Sequence, residues 1–302
     1  MTAKIEVVRP GVFATVQDLG RPGLAAIGVG RSGAADRGSL RLANRLVGNP
    51  EGDAALECVL GGLVLRFSAP ATVAVTGAPC PITVGARAAG PGSPISVGLG
   101  DELVLGTASR GLRCYVAVRG GIDVPPVLGA RATDTLGKLG PPALSAGTTL
   151  PVGRPVLAHP GVDLAPRAPL ADVPVLRVTP GPRVPWFVPE ALSTLVSSGY
   201  AATADVDRVG VRLDGPVLSR ARDGELPPEA AVPGAVQVPP SGQPILFLAD
   251  HPVTGGYPVI AVVEEADLDL AAQVRPGQRV RFRLVRGREQ ANRERTSRVL
   301  RR

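Results

Sequence analysis

Short apolar runs punctuated by glycine and proline dominate this chain. The first half holds IEVV (5–8), VFATV (12–16), LVLRF (63–67), TVAVT (72–76), ELVL (102–105) and LRCYVAV (112–118). The second half repeats the style with VLRVT (175–179), ILFLA (245–249), VIAVV (259–263) and RVRFRLV (279–285). Valine-rich runs of this length, bounded mostly by Gly, Pro or Asp, predict strands. One helix is predicted over 39–47, where Leu42, Leu46 and Val47 share a face. A second short helix is expected to start near Pro189, and a third to cover 267–274.

No regular alternation of strand and helix appears, so closed or half-closed antiparallel barrels are favoured over a doubly wound sheet. Residues 152–174 are rich in Pro and Ala and lack periodicity, which places a lobe boundary there. We assign one β lobe to residues 1–160, a second to 161–287 and a basic, frayed tail to 288–302. GDELVL (100–105) and GQRVRF (277–282) echo one another as Gly-led closing strands, a faint sign that the lobes are related.

Composition sharpens this picture in three ways. Gly (38) and Pro (32) make up nearly a quarter of the 302 residues, yet they are spread between apolar runs as turn residues are. The net charge of +7 resides mainly in the tail, because residues 286–302 hold seven Arg and two Glu. With aromatics at only 3%, the stacking platforms of a single-strand binder are scarce, and no nucleic-acid partner is expected. The twenty uncharged residues of 67–86 could span a membrane by length, but Pro70, Gly77, Pro79, Pro81 and Gly85 cut them into strand-turn-strand. The first ten residues carry Lys4, Glu6 and Arg9 and no apolar run, so no signal peptide or membrane partner is expected. Cys58, Cys80 and Cys114 fit neither a zinc site nor a disulfide framework; buried reduced thiols in a cytoplasmic protein are the expectation.

GVGRSG (28–33) matches the dinucleotide fingerprint, with Asp53 twenty residues beyond. That site needs a strand, a tight turn, a helix and then a parallel strand. Here AADRG intervenes before the helix, and GNPEGD follows it, so we read a Gly-rich loop of another kind. No P-loop and no G-x-S-x-G elbow is present. His159 and His251 are the only histidines, each followed by Pro, and no metal site is expected; His251 is read as structural. Neither Lys4 nor Lys138 has a flanking Met, so covalent biotin is not expected on this chain.

What remains is a set of loops dense in Gly, Asp, Asn, Gln and Arg. They are QDLGRPG (17–23), SGAADRGSLRLANRLVGN (32–49), ALE (55–57), DRVGVRL (207–213), PGAVQVPPSGQPI (233–245) and LADHPVTGGYP (248–258). Glycines let backbone amides approach a ligand, and such amides can stabilise an oxyanion. Arg208 and Arg212 suit a planar carboxylate or phosphate. D-x-G-x-R strings also make tight turns pinned by Asp, so each motif alone supports either reading. Several together favour a small-molecule site.

In this order, over residues 7–284, these strings and RGGID (119–123) resemble the allophanate hydrolase subunit 2 family. That family includes the carboxyltransferase domain of urea carboxylase, the C subunit of the bacterial ATP-dependent 5-oxoprolinase, and the antagonist of a sporulation-kinase inhibitor. The resemblance implies two cyclophilin-like β-barrel lobes. It also implies a partner of the allophanate hydrolase subunit 1 type, which in 5-oxoprolinase is the B subunit, and, as a further partner, its A subunit. The implied substrate is a small carboxylate or amide, with ATP bound with or by the partners. Three functions follow: amide hydrolysis of 5-oxoproline, carboxyl transfer from carboxybiotin, or non-catalytic regulation. The sequence departs from the family pattern at Val206 and Val209, where Ser and Met are usual, and at Pro252 and Val253, where Gln and Thr are usual.

The expected site assigns Tyr257 and Asp250 to positioning the reacting amide, and the amides of Gly255 and Gly256 to the developing oxyanion. Arg208 or Arg212 would hold a carboxylate or acyl-phosphate. Gln237 and Thr254 would line the substrate site, and Gln17, Asp18, Arg21, Asp36 and Asn44 would complete it from the first lobe. Asp18 and Asp36 suit turn anchors equally well.

Overall fold

The computed structural model describes residues 3–166, 168–224 and 226–285. Contacts divide the chain into two compact units. The first comprises the chain up to Ala171 together with Ala249–Val253 and Ala272–Arg275. The second comprises Asp172–Leu248, Thr254–Ala271 and, among the described residues, 276–285. The basic tail assigned to 288–302 lies outside the described residues.

In the first unit the strands are β1 (Lys4–Pro10), β2 (Phe13–Gln17), β3 (Ala55–Val59), β4 (Leu63–Phe67), β5 (Ala71–Gly77) and β6 (Ile82–Val84). They continue with β7 (Arg87–Ala89), β8 (Pro94–Val97), β9 (Glu102–Leu105), β10 (Arg113–Val118) and β11 (Thr149–Pro151). Two sheets result, ordered β11-β1-β4-β9-β6-β7 and β2-β3-β10-β5-β8. Val7, Leu65 and Leu103 from one and Val16, Leu56, Val73 and Val116 from the other share a single core.

Helix α1 (Arg37–Leu46) covers the opposite face of the five-stranded sheet, burying Leu40, Ala43 and Leu46 against Ala55, Ala74, Tyr115 and Ala117. A sheet covered on both faces has no solvent side, so β10 is buried at every position and is apolar after Arg113 apart from the Tyr115 hydroxyl. The strands flanking α1, β2 and β3, are antiparallel neighbours. The parallel crossover that a dinucleotide fingerprint requires is therefore replaced by a different connection.

The second unit holds β12 (Val175–Pro180), β13 (Gly199–Val206), β14 (Gly210–Asp214), β15 (Glu229–Ala230), β16 (Ala235–Gln237), β17 (Ile245–Phe247), β18 (Thr254–Gly255), β19 (Val259–Val263) and β20 (Arg279–Leu284). Seven of them close a barrel in the order β12-β19-β16-β17-β14-β13-β20, shut by parallel pairing of β12 with β20. Closure removes the exposed edges that an open sheet would carry. β20 shows the period-2 pattern of a barrel wall, with Val280 and Phe282 buried and Arg279, Arg281 and Arg283 exposed. Strands β15 and β18 form a separate two-stranded ribbon beside the barrel.

The expectation of a mainly β fold holds, and each predicted run contains a strand. The helix near Pro189 is α2 (Ala191–Ser197). The helix expected over 267–274 is shorter: a 3-10 turn at Glu265–Asp267 runs into α3 (Leu268–Ala271) and stops. Two residues beyond its end, Gln273 takes part in a buried polar network of the first unit. No helix among the described residues is long and apolar enough to cross a membrane.

Candidate functional site

Two loop clusters, one in each unit, gather the polar residues singled out by the motifs. In the first unit, Asp36 caps α1: Ser39 N donates to its Oδ1 at 2.8 Å and the Ser39 hydroxyl to its Oδ2. Gln273 Nε2 donates to the same Oδ2 at 2.7 Å, while Gln273 Oε1 accepts from Leu112 N at 2.8 Å and Arg113 N at 2.9 Å. The Asp36 backbone N–H donates to Tyr115 Oη at 2.8 Å, and Tyr115 Oη donates to Glu57 Oε2 at 2.6 Å. Ala35 N adds a bond to Glu57 at 3.1 Å, and Arg113 Nε lies 3.6 Å from its other oxygen. None of Asp36, Glu57, Arg113, Tyr115 and Gln273 exceeds 5% exposure. Burial, then the Glu57 and Asp36 carboxylates, pushes the Tyr115 hydroxyl well above its ordinary range.

The other predicted residues of this unit also bond to their own chain. Asp18 accepts from Gly20 N and Arg131 N at 2.7 and 2.5 Å, pinning a turn. Arg21 is 2% exposed and donates to the carbonyls of Val127 and Ala132. Asn44 donates to Asp53 O at 2.7 Å and accepts from Asn49 Nδ2 at 3.1 Å. The glycine that ends GVGRSG packs against this frame: at Gly33, φ is +88° and a Cβ would stand 2.6 Å from Gly20 N. Only glycine fits there. The fingerprint glycine thus serves loop-on-loop packing.

Asp250 stands apart from these anchors. Although late in sequence, it belongs to the first unit. Ser32 Oγ donates to Asp250 Oδ1 at 2.6 Å, and Thr135 donates to Oδ2 through both N (2.9 Å) and Oγ1 (2.7 Å). Ser32 is buried with φ +53°, a left-handed conformation that serine adopts only when its surroundings impose it. Gln17 is fully buried, its Nε2 donating to Thr15 Oγ1 and Thr133 O, both at 2.9 Å. Its Oε1 and the neighbouring Thr133 Oγ1 have no hydrogen-bond partner among the described residues. The His251 ring faces Pro252 O at 2.8 Å, and burial, against the opposing pull of Asp250 and Asp134, lowers its pKa. Ser32 lay inside the string 32–49 without an assigned role, and Thr133 and Thr135 escaped the sequence reading. The string DTLG (134–137) carried the signal, because Asp134 Oδ1 accepts from Leu136 N and Gly137 N as other D-x-x-G turns do.

In the second unit, the TGGYP loop is held by three neighbours. Gly255 pairs with Glu229, Leu226 N donates to Gly256 O at 3.0 Å, and Val238 N donates to Pro258 O at 3.1 Å. Gln237, 4% exposed, lies so close that a Cβ on Gly255 would meet its Nε2 at 2.8 Å. Thr254 is exposed, while Gly255, Gly256 and Tyr257 are half-buried. Arg220 lies over the Tyr257 ring, Cζ 5.8 Å from its centre, and donates to Gly224 O and Val238 O. Arg183 makes a two-point ion pair with Glu229, which lowers the Glu229 pKa.

Arg208 and Arg212 do not form a fork. Arg208 is 2% exposed, inside a turn pinned by Asp207. Arg212 points out of the barrel wall, 59% exposed and 3.8 Å from Asp205. It lines a hollow of about 460 Å³ with Asp205, Asp214, Ser241 and Gln243. Strand alternation decides this: Val211 and Leu213 face the core, so Arg212 between them cannot.

These clusters belong to a recognisable lineage. The family described as carboxyltransferase domain, subdomains A and B, matches residues 27–284. The chain belongs to that family. It is 38% identical to the 5-oxoprolinase C subunit of Escherichia coli K12 over 284 residues, covering 92% of this chain and 90% of the relative. It is 36% identical to the urea amidolyase of Lachancea kluyveri, covering 92% of this chain but 17% of that much longer protein. A crystal structure of TTHA0988 superposes with a TM-score of 0.86 at 37% identity, covering 93% of this chain and 56% of that one. The K. lactis urea amidolyase superposes at 0.88 and 32% identity, covering 94% of this chain and 19% of that one. This carboxyltransferase-domain chain therefore corresponds to about half of TTHA0988 and under a fifth of the urea amidolyases. The resemblance read from the motif strings holds, and the fold is that of this family.

Proposed function

We propose that this chain is the C-type subunit of an ATP-dependent 5-oxoprolinase, hydrolysing 5-oxoproline to glutamate in the cytoplasm with partner subunits of the B and A types. The observation that carries this reading is co-extensive likeness: the C subunit from Escherichia coli matches along nine-tenths of both chains. The urea amidolyases share only a segment of a far longer polypeptide.

In this reading Asp250 and Tyr257 orient the lactam amide. Asp250 is suited to it because three bonds from Ser32 and Thr135 fix both its oxygens. Tyr257 is suited because the Arg220 guanidinium holds its ring. The amides of Gly255 and Gly256 face the developing oxyanion, where pre-set donors act without reorganising. Gln237 and Thr254 line the substrate site in this reading, while Gln17, Asp18, Arg21, Asp36 and Asn44 hold the loops of the first unit. ATP is assigned to the partner subunits, since no P-loop occurs in this sequence.

Carboxyl transfer to an amide nitrogen is the second reading, favoured by the family's description and the urea amidolyase likeness. It requires biotin carried on another chain or domain, because Lys4 and Lys138 lack the attachment pattern. A purely regulatory role is the third. Co-purification of endogenous partners, followed by assays with 5-oxoproline and with urea, separates them. ATP turnover that depends on 5-oxoproline and needs this chain supports the hydrolase. Urea-dependent turnover with a biotinylated partner, or a tight complex without turnover, refutes it.

A further inference from the structure

Beside the Tyr257 loop, the second unit carries a cavity of about 380 Å³ whose charged side chains lie outside the sequence motifs. Ser219, Arg220, Arg222 and Asp223 line it, with backbone from Gly224 and Gly242. Its wall is pinned: Phe187 bridges to Arg220, Ala221 N donates to Trp186 O at 2.8 Å, and Leu218 N donates to Gly242 O at 3.0 Å. Both arginines lie against aromatic rings, Arg220 over Tyr257 and Arg222 over Trp186, each with Cζ 5.8 Å from the ring centre.

We propose that this cavity is the subsite for a substrate carboxylate, with Arg220 and Arg222 as its two guanidinium arms. Two observations carry the proposal. Arg220 Nε is buried without an acceptor among the described residues, and the bonds to Gly224 O and Val238 O engage only one donor from each terminal nitrogen. A cation partly stripped of water and left with spare donors regains that loss by taking an anion. Arg222 adds a second positive charge on the same cavity, and two like charges there repel until an anion lies between them. With Asp223, the described lining residues carry one net positive charge, which suits a carboxylate monoanion better than a phosphate dianion. Each guanidinium is planar by delocalisation, and its contact with a ring limits the orientations it can take. Neither buried Arg208 nor outward-facing Arg212 offers this.

The choice of 5-oxoproline as ligand rests on the hydrolase reading; the subsite chemistry does not. Trp186, the only tryptophan, reports on the cavity through Arg222. The full chain is titrated with 5-oxoproline, with 2-pyrrolidinone (the same ring without the carboxylate) and with inorganic phosphate, following Trp186 emission. Saturable response to 5-oxoproline alone is expected. Arg222→Gln, at an exposed residue, is expected to weaken it about tenfold or more, as loss of a charged hydrogen bond does. Arg220→Gln is expected to do likewise and Arg212→Gln to change nothing. No response to 5-oxoproline, equal response to 2-pyrrolidinone, tighter phosphate binding, or an unchanged Arg222→Gln titration would each overturn the subsite. Turnover of 5-oxoproline with a silent Trp186 would sink the subsite and spare the hydrolase reading; Arg222-dependent binding without turnover in the reconstituted complex would do the reverse.

Discussion

Replacing Tyr115 by Phe removes one oxygen atom from the most buried polar network of the first unit. The ring stays, so packing is retained. Two bonds are lost: the Asp36 backbone N–H loses its acceptor, and Glu57 loses a donor at 2.6 Å. An orphaned buried N–H costs about 1–3 kcal/mol, and a hydrogen bond to a charged group is worth about 1.5–3. Glu57 keeps Ala35 N and Arg113, which softens the second loss. We expect a destabilisation of about 3 kcal/mol at pH 7, or roughly 6–12 °C in Tm for a unit of this size. Urea unfolding should show a lower midpoint with an unchanged slope.

The same variant makes a pH prediction whose sign is fixed by linkage. The Tyr115 pKa is raised in the fold, so above the ordinary tyrosine range the unfolded chain releases a proton that the native state keeps. Wild-type stability therefore falls as pH rises past about 10. At pH 11 the unfolded tyrosine gains about 1.4 kcal/mol from ionising, a gain that the variant's phenylalanine lacks. The gap between wild type and variant should shrink to roughly half its pH 7 value. Tyr200, pushed up to about 12 by burial, is present in both proteins and cancels. A loss under about 1 kcal/mol at pH 7, or a gap that does not narrow at pH 11, refutes the network as described.

Gln273→Leu should cost more, about 4 kcal/mol, because it removes at once the acceptor of Leu112 N and Arg113 N and a donor to Arg113 O and to the Asp36 carboxylate; a loss below about 2 kcal/mol in urea unfolding refutes this. Cys80 and Cys114, 3.9 Å apart, each have a strongly raised pKa, Cys80 through its contact with Cys114 and then burial, Cys114 through its contact with Cys58 and then burial. A disulfide dye at pH 8 should therefore label native protein far more slowly than urea-unfolded protein, and rapid native labelling would contradict the thiol geometry. His251 should titrate below 6.5 by NMR, and because the unfolded chain then binds the proton first, stability should decline as pH falls through 6.5. A His251→Gln variant that keeps the full acid sensitivity would show that another group is responsible. Gly33→Ala should lower stability by several kcal/mol, given its left-handed φ and the Gly20 backbone 2.6 Å from the new Cβ; a neutral effect would mean the two loops can part freely.

The strands, most turns and α1 were legible because each is written locally. Valine-rich runs end at Gly or Pro, and RVRFRL states by its alternation which face of β20 is buried. The turn-pinning bonds of Asp18, Asp134 and Asp207 follow from spacing to amides two or three residues on, or from one long-range contact. Motif order was enough to name the family, since strings that must pack on one another keep their order even where single residues change.

Only the tertiary structure decided which of these residues work together. Sequence grouped Arg208 with Arg212 by proximity along the chain, whereas a strand's period of two and a buried turn send them to different environments. Residues 249–253 and 272–275 fold with the first unit, because Asp250 and Gln273 satisfy hydrogen-bonding groups more than a hundred positions away. A buried donor or acceptor takes whichever partner the fold delivers, and that partner has no signature in the local sequence. The β runs and Gly-rich turns belonged to the sequence; the partners of Asp250, Gln273 and Arg220 belonged to the fold.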